Sequence, residues 1–193
     1  MSDSIRDRYL EEVGTSKQLL SLIEEEDFFK KIEGALECLV QAVQKNAPIL
    51  VCGNGGSASD ALHISGELVG RFLKERRAVD VICLSSNVSV LTAWANDVGY
   101  DTVFSRQVEA HGRADGVLWA ISTSGNSKNV IKAAETARNL KMKVLSMTGM
   151  GGGALAKFSD VLLDVPSTMT PRVQEMHLVI YHFLCARLEE TVV

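Results

Sequence analysis

The chain has 193 residues, 46% hydrophobic and 23% charged, which suits one globular unit with a sizeable core and excludes wholesale disorder. Twenty basic residues face 24 acidic ones for a net charge of -4, and with no dense Lys/Arg run nucleic acid is not expected as a ligand. The apolar runs are far shorter than the roughly 20 residues of a membrane span, and the charged opening MSDSIRDRYLEEVG lacks the apolar centre of a secretory signal. A cytoplasmic protein with no membrane partner is expected. Cys38, Cys52, Cys83 and Cys185 lie far apart with no CxxC pair, so they read as four buried small hydrophobes, neither a disulfide framework nor a zinc ribbon.

Apolar residues at Ile5, Tyr9, Leu10, Val13, Leu19, Leu20 and Ile23 predict an amphipathic helix over 4–25, and a similar spacing predicts a second over 28–44. The pattern then changes to a short apolar run over 48–53, bounded by Pro48 and Gly53, which reads as a buried strand. Like runs recur over 78–84, 116–121, 144–147 and 161–165, separated by helical stretches over 59–73, 88–94, 102–111 and 129–140, with a last helix over 171–188. Alternating strands and helices, with both strand faces apolar, predict an α/β fold with a five-stranded parallel sheet covered on two sides. Such sheets bind ligands beyond the carboxyl ends of their strands. The GMGGG stretch over 149–153 reads as a structural loop.

Two loops stand where ligands are expected. The first strand runs into Cys52-Gly-Asn-Gly-Gly-Ser57, where glycines allow close backbone approach and helix-start amides suit a phosphate or polyhydroxyl group. The same residues also suit a tight turn with Ser57 or Ser59 as N-cap. The third strand runs into Ser122-Thr-Ser-Gly-Asn-Ser127, and four hydroxyls in six residues exceed what capping needs, so phosphate is the expected ligand. His63 and Glu67, four apart, share one helix face, as a partial metal site, an acid/base pair or a solvated pair would. The last helix carries Gln174, His177 and His182. Gln174 projects about 60° from His177 and about 80° from His182, so periodicity does not choose between the two histidines. Asn96-Asp97 could hold a sugar hydroxyl or simply end a helix.

With CGNGGSASDALHISGEL, STSGNS, SMTG and TPRVQEMH in this order, the chain resembles the sugar isomerase (SIS) family over nearly its whole length. Within that family it is similar to the members that isomerise sedoheptulose 7-phosphate. The resemblance implies a three-layer α/β/α sandwich of flavodoxin-like type, a homotetramer, and interconversion of sedoheptulose 7-phosphate with D-glycero-D-manno-heptose 7-phosphate, the first step toward nucleotide-activated heptose for bacterial surface glycans. It implies substrate contacts at Asn54, Gly55, Gly56 and Ser57, at Asn96 and Asp97, and at Ser122, Thr123, Ser124 and Ser127, with Glu67 and Gln174 also facing substrate. It further implies one zinc ion per subunit on His63, Glu67, Gln174 and His182, with Glu67 and His182 as the catalytic acid/base pair. Pro171 stands where some members carry an acidic residue. Two rival readings remain within the family: an isomerase of another sugar phosphate, and a noncatalytic member that binds the bacterial replication initiator and lacks the complete acid/base and metal set.

Overall fold

The computed structural model describes residues 4–192. Helices α1 (Ile5–Ile23) and α2 (Glu26–Gln44) precede β1 (Ile49–Cys52), α3 (Gly56–Val69), β2 (Val81–Cys83), α4 (Val88–Asp97) and α5 (Val103–His111). There follow β3 (Val117–Ser122), α6 (Lys128–Asn139), β4 (Lys143–Thr148), β5 (Val161–Asp164) and α7 (Thr170–Glu189), with short 3-10 turns at Tyr100–Thr102 and Gly153–Phe158. The five strands pair in the order β2-β1-β3-β4-β5, all parallel. The expected α/β sandwich is therefore present.

Strand alternation explains the two cores, because successive side chains point to opposite faces of a sheet. Ile49, Val51, Val117, Trp119 and Ile121 point to the layer built from α2, α3 and α7, where Leu39, Ile64, Leu68, Ile180 and Leu184 are fully or almost fully buried. Leu50, Cys52, Leu118 and Ala120 point the other way, toward Phe104 and Val108 of α5 and Val130, Ala133 and Ala137 of α6. Helix α2 is thus part of the sandwich. Helix α1 is different: among its residues only Leu19 is buried, and Ile5, Tyr9, Leu10 and Leu22 are exposed. Three cysteines are buried as expected, whereas Cys38 is half-buried; burial pushes the Cys38 thiol up to about 11 and the Cys185 thiol to about 12.

Strand order places the binding end. The chain leaves β1 outward to β2, then crosses back to β3 on the other side of β1. This reversal opens a crevice at the carboxyl ends of β1 and β3, where the two adjacent connections diverge. The loops over 53–55 and 123–127 flank it.

Helix α3 departs from the expected bounds at both ends. It starts at Gly56, three residues earlier, with Gly55 at φ 55° as its N-cap and no side-chain cap, so neither Ser57 nor Ser59 caps it. It stops at Val69, because the following segment is held elsewhere: Glu189 at the end of α7 accepts from the backbone N–H groups of Phe72, Leu73 and Lys74 at 2.7–2.9 Å. Arg76, its side chain fully buried, pairs with the same carboxylate at 3.3 Å and donates to the carbonyl oxygens of Glu67 and Gly70. Burial pushes the Glu189 carboxyl up, but the three N–H bonds and Arg76 outweigh it and hold the group below its usual value.

Candidate active site

The loop after β1 is shaped by close approach. A Cβ on Gly53 would lie 2.5 Å from the Ser57 carbonyl oxygen, and Gly55 has the positive φ that side chains resist. Ser57 is packed beneath the turn, 4% exposed, while Gly55 and Gly56 are exposed. Among the described residues the N–H groups of Gly55 and Gly56 meet no acceptor. They form a helix-start donor pair suited to anionic or hydroxyl oxygen.

Asn54 ties this loop to its neighbours. Its amide exchanges two 2.9 Å hydrogen bonds with Asn129 in the first turn of α6, and its Oδ1 also accepts from the Tyr100 hydroxyl at 2.9 Å. The sequence reading missed both partners, although Asn129 stands two residues after the Ser/Thr loop. Asn96 and Asp97 are exposed at the end of α4 and bond to each other at 2.8 Å; Tyr100, just beyond them, is the residue that reaches Asn54.

The loop after β3 presents its hydroxyls at the start of α6. Ser122 is buried and its Oγ lies 3.0 Å from that of Ser127, while Thr123 and Ser127 are half-buried and Ser124 is exposed. Ser127 occupies the N-cap position but makes no capping bond, and among the described residues the N–H groups of Lys128 and Asn129 meet no acceptor. Hydroxyls and amides are thus left for a ligand. The GMGGG segment supports this loop from behind, as a structural loop would: Gly149 N–H donates to the Thr123 carbonyl at 2.8 Å, and a Cβ on Gly125, at φ 64°, would strike the Gly152 carbonyl.

Helices α3 and α7 pack side by side and bring together three of the four residues expected around a metal. Single ligand atoms of His63, Glu67 and His182 all lie within 4.8 Å of one another. His63 Nε2 lies 2.9 Å from Glu67 Oε1, and the His63 and His182 rings pack edge to face at 5.0 Å. Phe72, from the segment that Glu189 pins, covers His182 at 5.6 Å. Partial burial and the neighbouring His63 lower the His182 pKa, with Glu67 opposing, so the ring is neutral near pH 7. The amide of Gln174, on the same face of α7, lies against Gly56 where a Cβ would stand, at the start of α3. Two imidazoles and a carboxylate fit zinc, and three protein ligands with an open fourth position are the usual arrangement of a catalytic zinc site.

The structure separates the two histidines of α7. His177 is fully buried, with Nε2 3.2 Å from the Thr148 carbonyl and Nδ1 without a partner among the described residues. A carbonyl only accepts, so Nε2 carries the proton; burial lowers the pKa to about 4 and keeps the ring neutral. It is a core residue. Two further groups at the cluster went unread in the sequence: Tyr181, whose hydroxyl lies 2.8 Å from His63 Nδ1, and Asp60, which burial pushes up to about 6 against the pull of His63. Asp60 precedes His63 by three residues, the spacing of neighbours on one helix face.

A family model described as the SIS domain matches residues 9–149, and the chain belongs to this family. Several of its relatives share one name. The phosphoheptose isomerase of Helicobacter pylori (strain P12) is 46% identical over 98% of this chain and 96% of its own length, and that of Shewanella denitrificans is 43% identical over 99% and 96%. Among solved structures, a phosphoheptose isomerase from Neisseria gonorrhoeae matches 97% of this chain and all of its own with a TM-score of 0.91 and 38% identity. One from Francisella tularensis matches the same shares at a TM-score of 0.93 and 34% identity.

Proposed function

We propose that this protein is a phosphoheptose isomerase, interconverting sedoheptulose 7-phosphate and D-glycero-D-manno-heptose 7-phosphate and so opening a route to activated heptose for bacterial surface glycans. The observation that carries the reading is the His63, Glu67 and His182 cluster, in a chain similar along its length to phosphoheptose isomerases. An aldose-ketose isomerase moves one proton between C1 and C2 and another between their oxygens. Glu67, a carboxylate at the cluster, takes and returns the carbon-bound proton. His182, neutral near pH 7, is matched to the oxygen-bound proton. A ring nitrogen that holds an ion is closed to proton transfer, so a given nitrogen of His182 serves either the ion or this proton, not both at once.

The phosphate end belongs at Ser122, Thr123, Ser124 and Ser127, at the start of α6. Asn54, Gly55, Gly56 and Ser57 would contact the sugar from one side, with Asn96 and Asp97 beyond them. Gln174, its amide on Gly56, faces this same stretch and would add a fourth ligand or a substrate contact. One zinc per subunit on His63, Glu67 and His182 would polarise the sugar oxygens and steady an enediolate-like charge.

The whole chain, 1–193, acts as a single SIS domain that assembles as a homotetramer. The exposed apolar side chains of α1, α2 and α7, and the groove of about 230 Å³ that Leu20, Ile23, Phe28, Phe29 and Phe183 help to line, support this assembly. Among the described residues no helix is long and apolar enough to cross a membrane. A sugar-phosphate substrate supports a cytoplasmic site of action.

Incubation of pure protein with sedoheptulose 7-phosphate, followed by NMR, tests the assignment; the aldoheptose phosphate should appear. Turnover of a pentose or hexose phosphate in its place would establish the rival isomerase. Elemental analysis of protein prepared without chelator should find zinc, and full activity without metal would remove it from the reaction.

A further inference from the structure

Tyr181 is 1% exposed and meets His63 through its only polar atom. On the far side of the imidazole, Nε2 faces Glu67. An ionised carboxylate only accepts, so in the metal-free protein the neutral His63 ring carries its proton on Nε2. Nδ1 then offers a lone pair, and the Tyr181 hydroxyl donates to it.

A cation in the cluster reverses these roles. With Nε2, the nitrogen facing Glu67, holding such a cation, the neutral ring would carry its proton on Nδ1 and donate it outward. A carbonyl or carboxylate behind Nδ1 would accept in that state but could not donate in the other. A hydroxyl does both. Once it accepts, its own proton needs a new acceptor, and Asp60 offers one: it stands three residues before His63 on the same face of α3, and its buried Oδ2 has no partner among the described residues.

We propose that Tyr181 is a positioning residue for His63, holding the imidazole in register with Glu67 and His182 in both tautomers, with Asp60 as the acceptor to which its hydroxyl turns when Nδ1 is protonated. The proposal rests on reading His63, Glu67 and His182 as metal ligands. The edge-to-face packing of Tyr181 on both imidazoles, at 5.4 Å and 4.9 Å, lets one side chain fix both rings.

The test compares the parent with Tyr181→Phe, which keeps the ring and removes only the hydroxyl. Metal-free protein examined by imidazole 15N NMR should show His63 protonated on Nε2, with an Nδ1 signal displaced by an accepted hydrogen bond that relaxes to the free-acceptor position in the variant. Zinc(II) added to the parent should move the proton to Nδ1. Zinc competition against a chromophoric chelator should show binding weakened about 10- to 100-fold in Tyr181→Phe and severalfold in Asp60→Ala. Unchanged Nδ1 signals or equal zinc affinity in Tyr181→Phe would overturn the role of Tyr181, and unchanged affinity in Asp60→Ala would remove Asp60 from it. A parent that binds no zinc would instead overturn the metal reading, with the metal-free spectra still deciding whether Tyr181 holds His63.

Discussion

Glu67 and His177 show how much a side chain's surroundings decide. Glu67 sits at the edge of an imidazole cluster, half-buried, where it can meet a carbon-bound proton. Glu67→Gln keeps its size and an oxygen for metal but takes no proton near neutral pH. The variant should fold, bind substrate, turn over about 10² to 10⁴ times more slowly, and lose exchange of the substrate's C1 hydrogen with deuterated solvent. Retained exchange would move the base role to His182. His177 is a base whose folded pKa of about 4 lies below the 6.5 of the free side chain. The unfolded chain therefore binds the extra proton first. The stability this neutral ring contributes is full above pH 6.5 and falls away as pH drops toward 4, by about 3 kcal/mol in all. Urea denaturation at pH 7 and pH 4.5 should show a steeper loss for the parent than for His177→Gln.

Two connecting elements carry predictions of their own. Glu189 ends α3 from more than a hundred residues away, holding three backbone N–H groups and Arg76. Glu189→Gln keeps one acceptor oxygen but leaves the buried Arg76 charge unbalanced, which should cost about 3 kcal/mol. Because the folded carboxyl lies below its ordinary 4.5, the parent's advantage should be complete above that pH and vanish as pH falls through the lower folded value. Denaturant midpoints across pH 3 to 7 would show this convergence. In the Ser/Thr loop, Ser124 Oγ accepts from Asn126 N–H at 3.1 Å, so its own proton is free for phosphate. Ser124→Ala should raise KM more than it lowers kcat, since a remote phosphate gives binding common to ground and transition states; a pure kcat loss in steady-state kinetics would move the phosphate elsewhere.

At the scale of the molecule, the exposed face of α1 is the feature a lone subunit explains least. Ile5 and Tyr9 are 90% and 66% exposed, yet α1 is anchored to α7 by Arg172, which bonds Ser16 at 2.6 Å and pairs with Glu12 and Glu175. A helix held in place with its apolar side chains outward suits a partner surface. Light scattering should find no stable monomer, and Tyr9→Glu combined with Phe183→Glu should lower the mass.

Much of this molecule was legible in residue patterns because those patterns are local. Short continuous apolar runs, the first bounded by Pro48 and Gly53, marked five strands, and period-3.6 runs marked the helices, since each depends on residues close in sequence. The hydroxyl-rich loop and the His63/Glu67 pair were visible for the same reason. Other features belong to distant parts of the chain. Strand order set the crevice between β1 and β3; the Thr148 carbonyl claimed His177 for the core and left His182 to the cluster; Glu189 stopped α3 at Val69 where apolar spacing ran on. Tyr181 behind His63, and Gln174 on Gly56, likewise follow from how α7 lies along α3. Local periodicity specifies which way a side chain faces within its own element, and only the packing of elements specifies what it meets there.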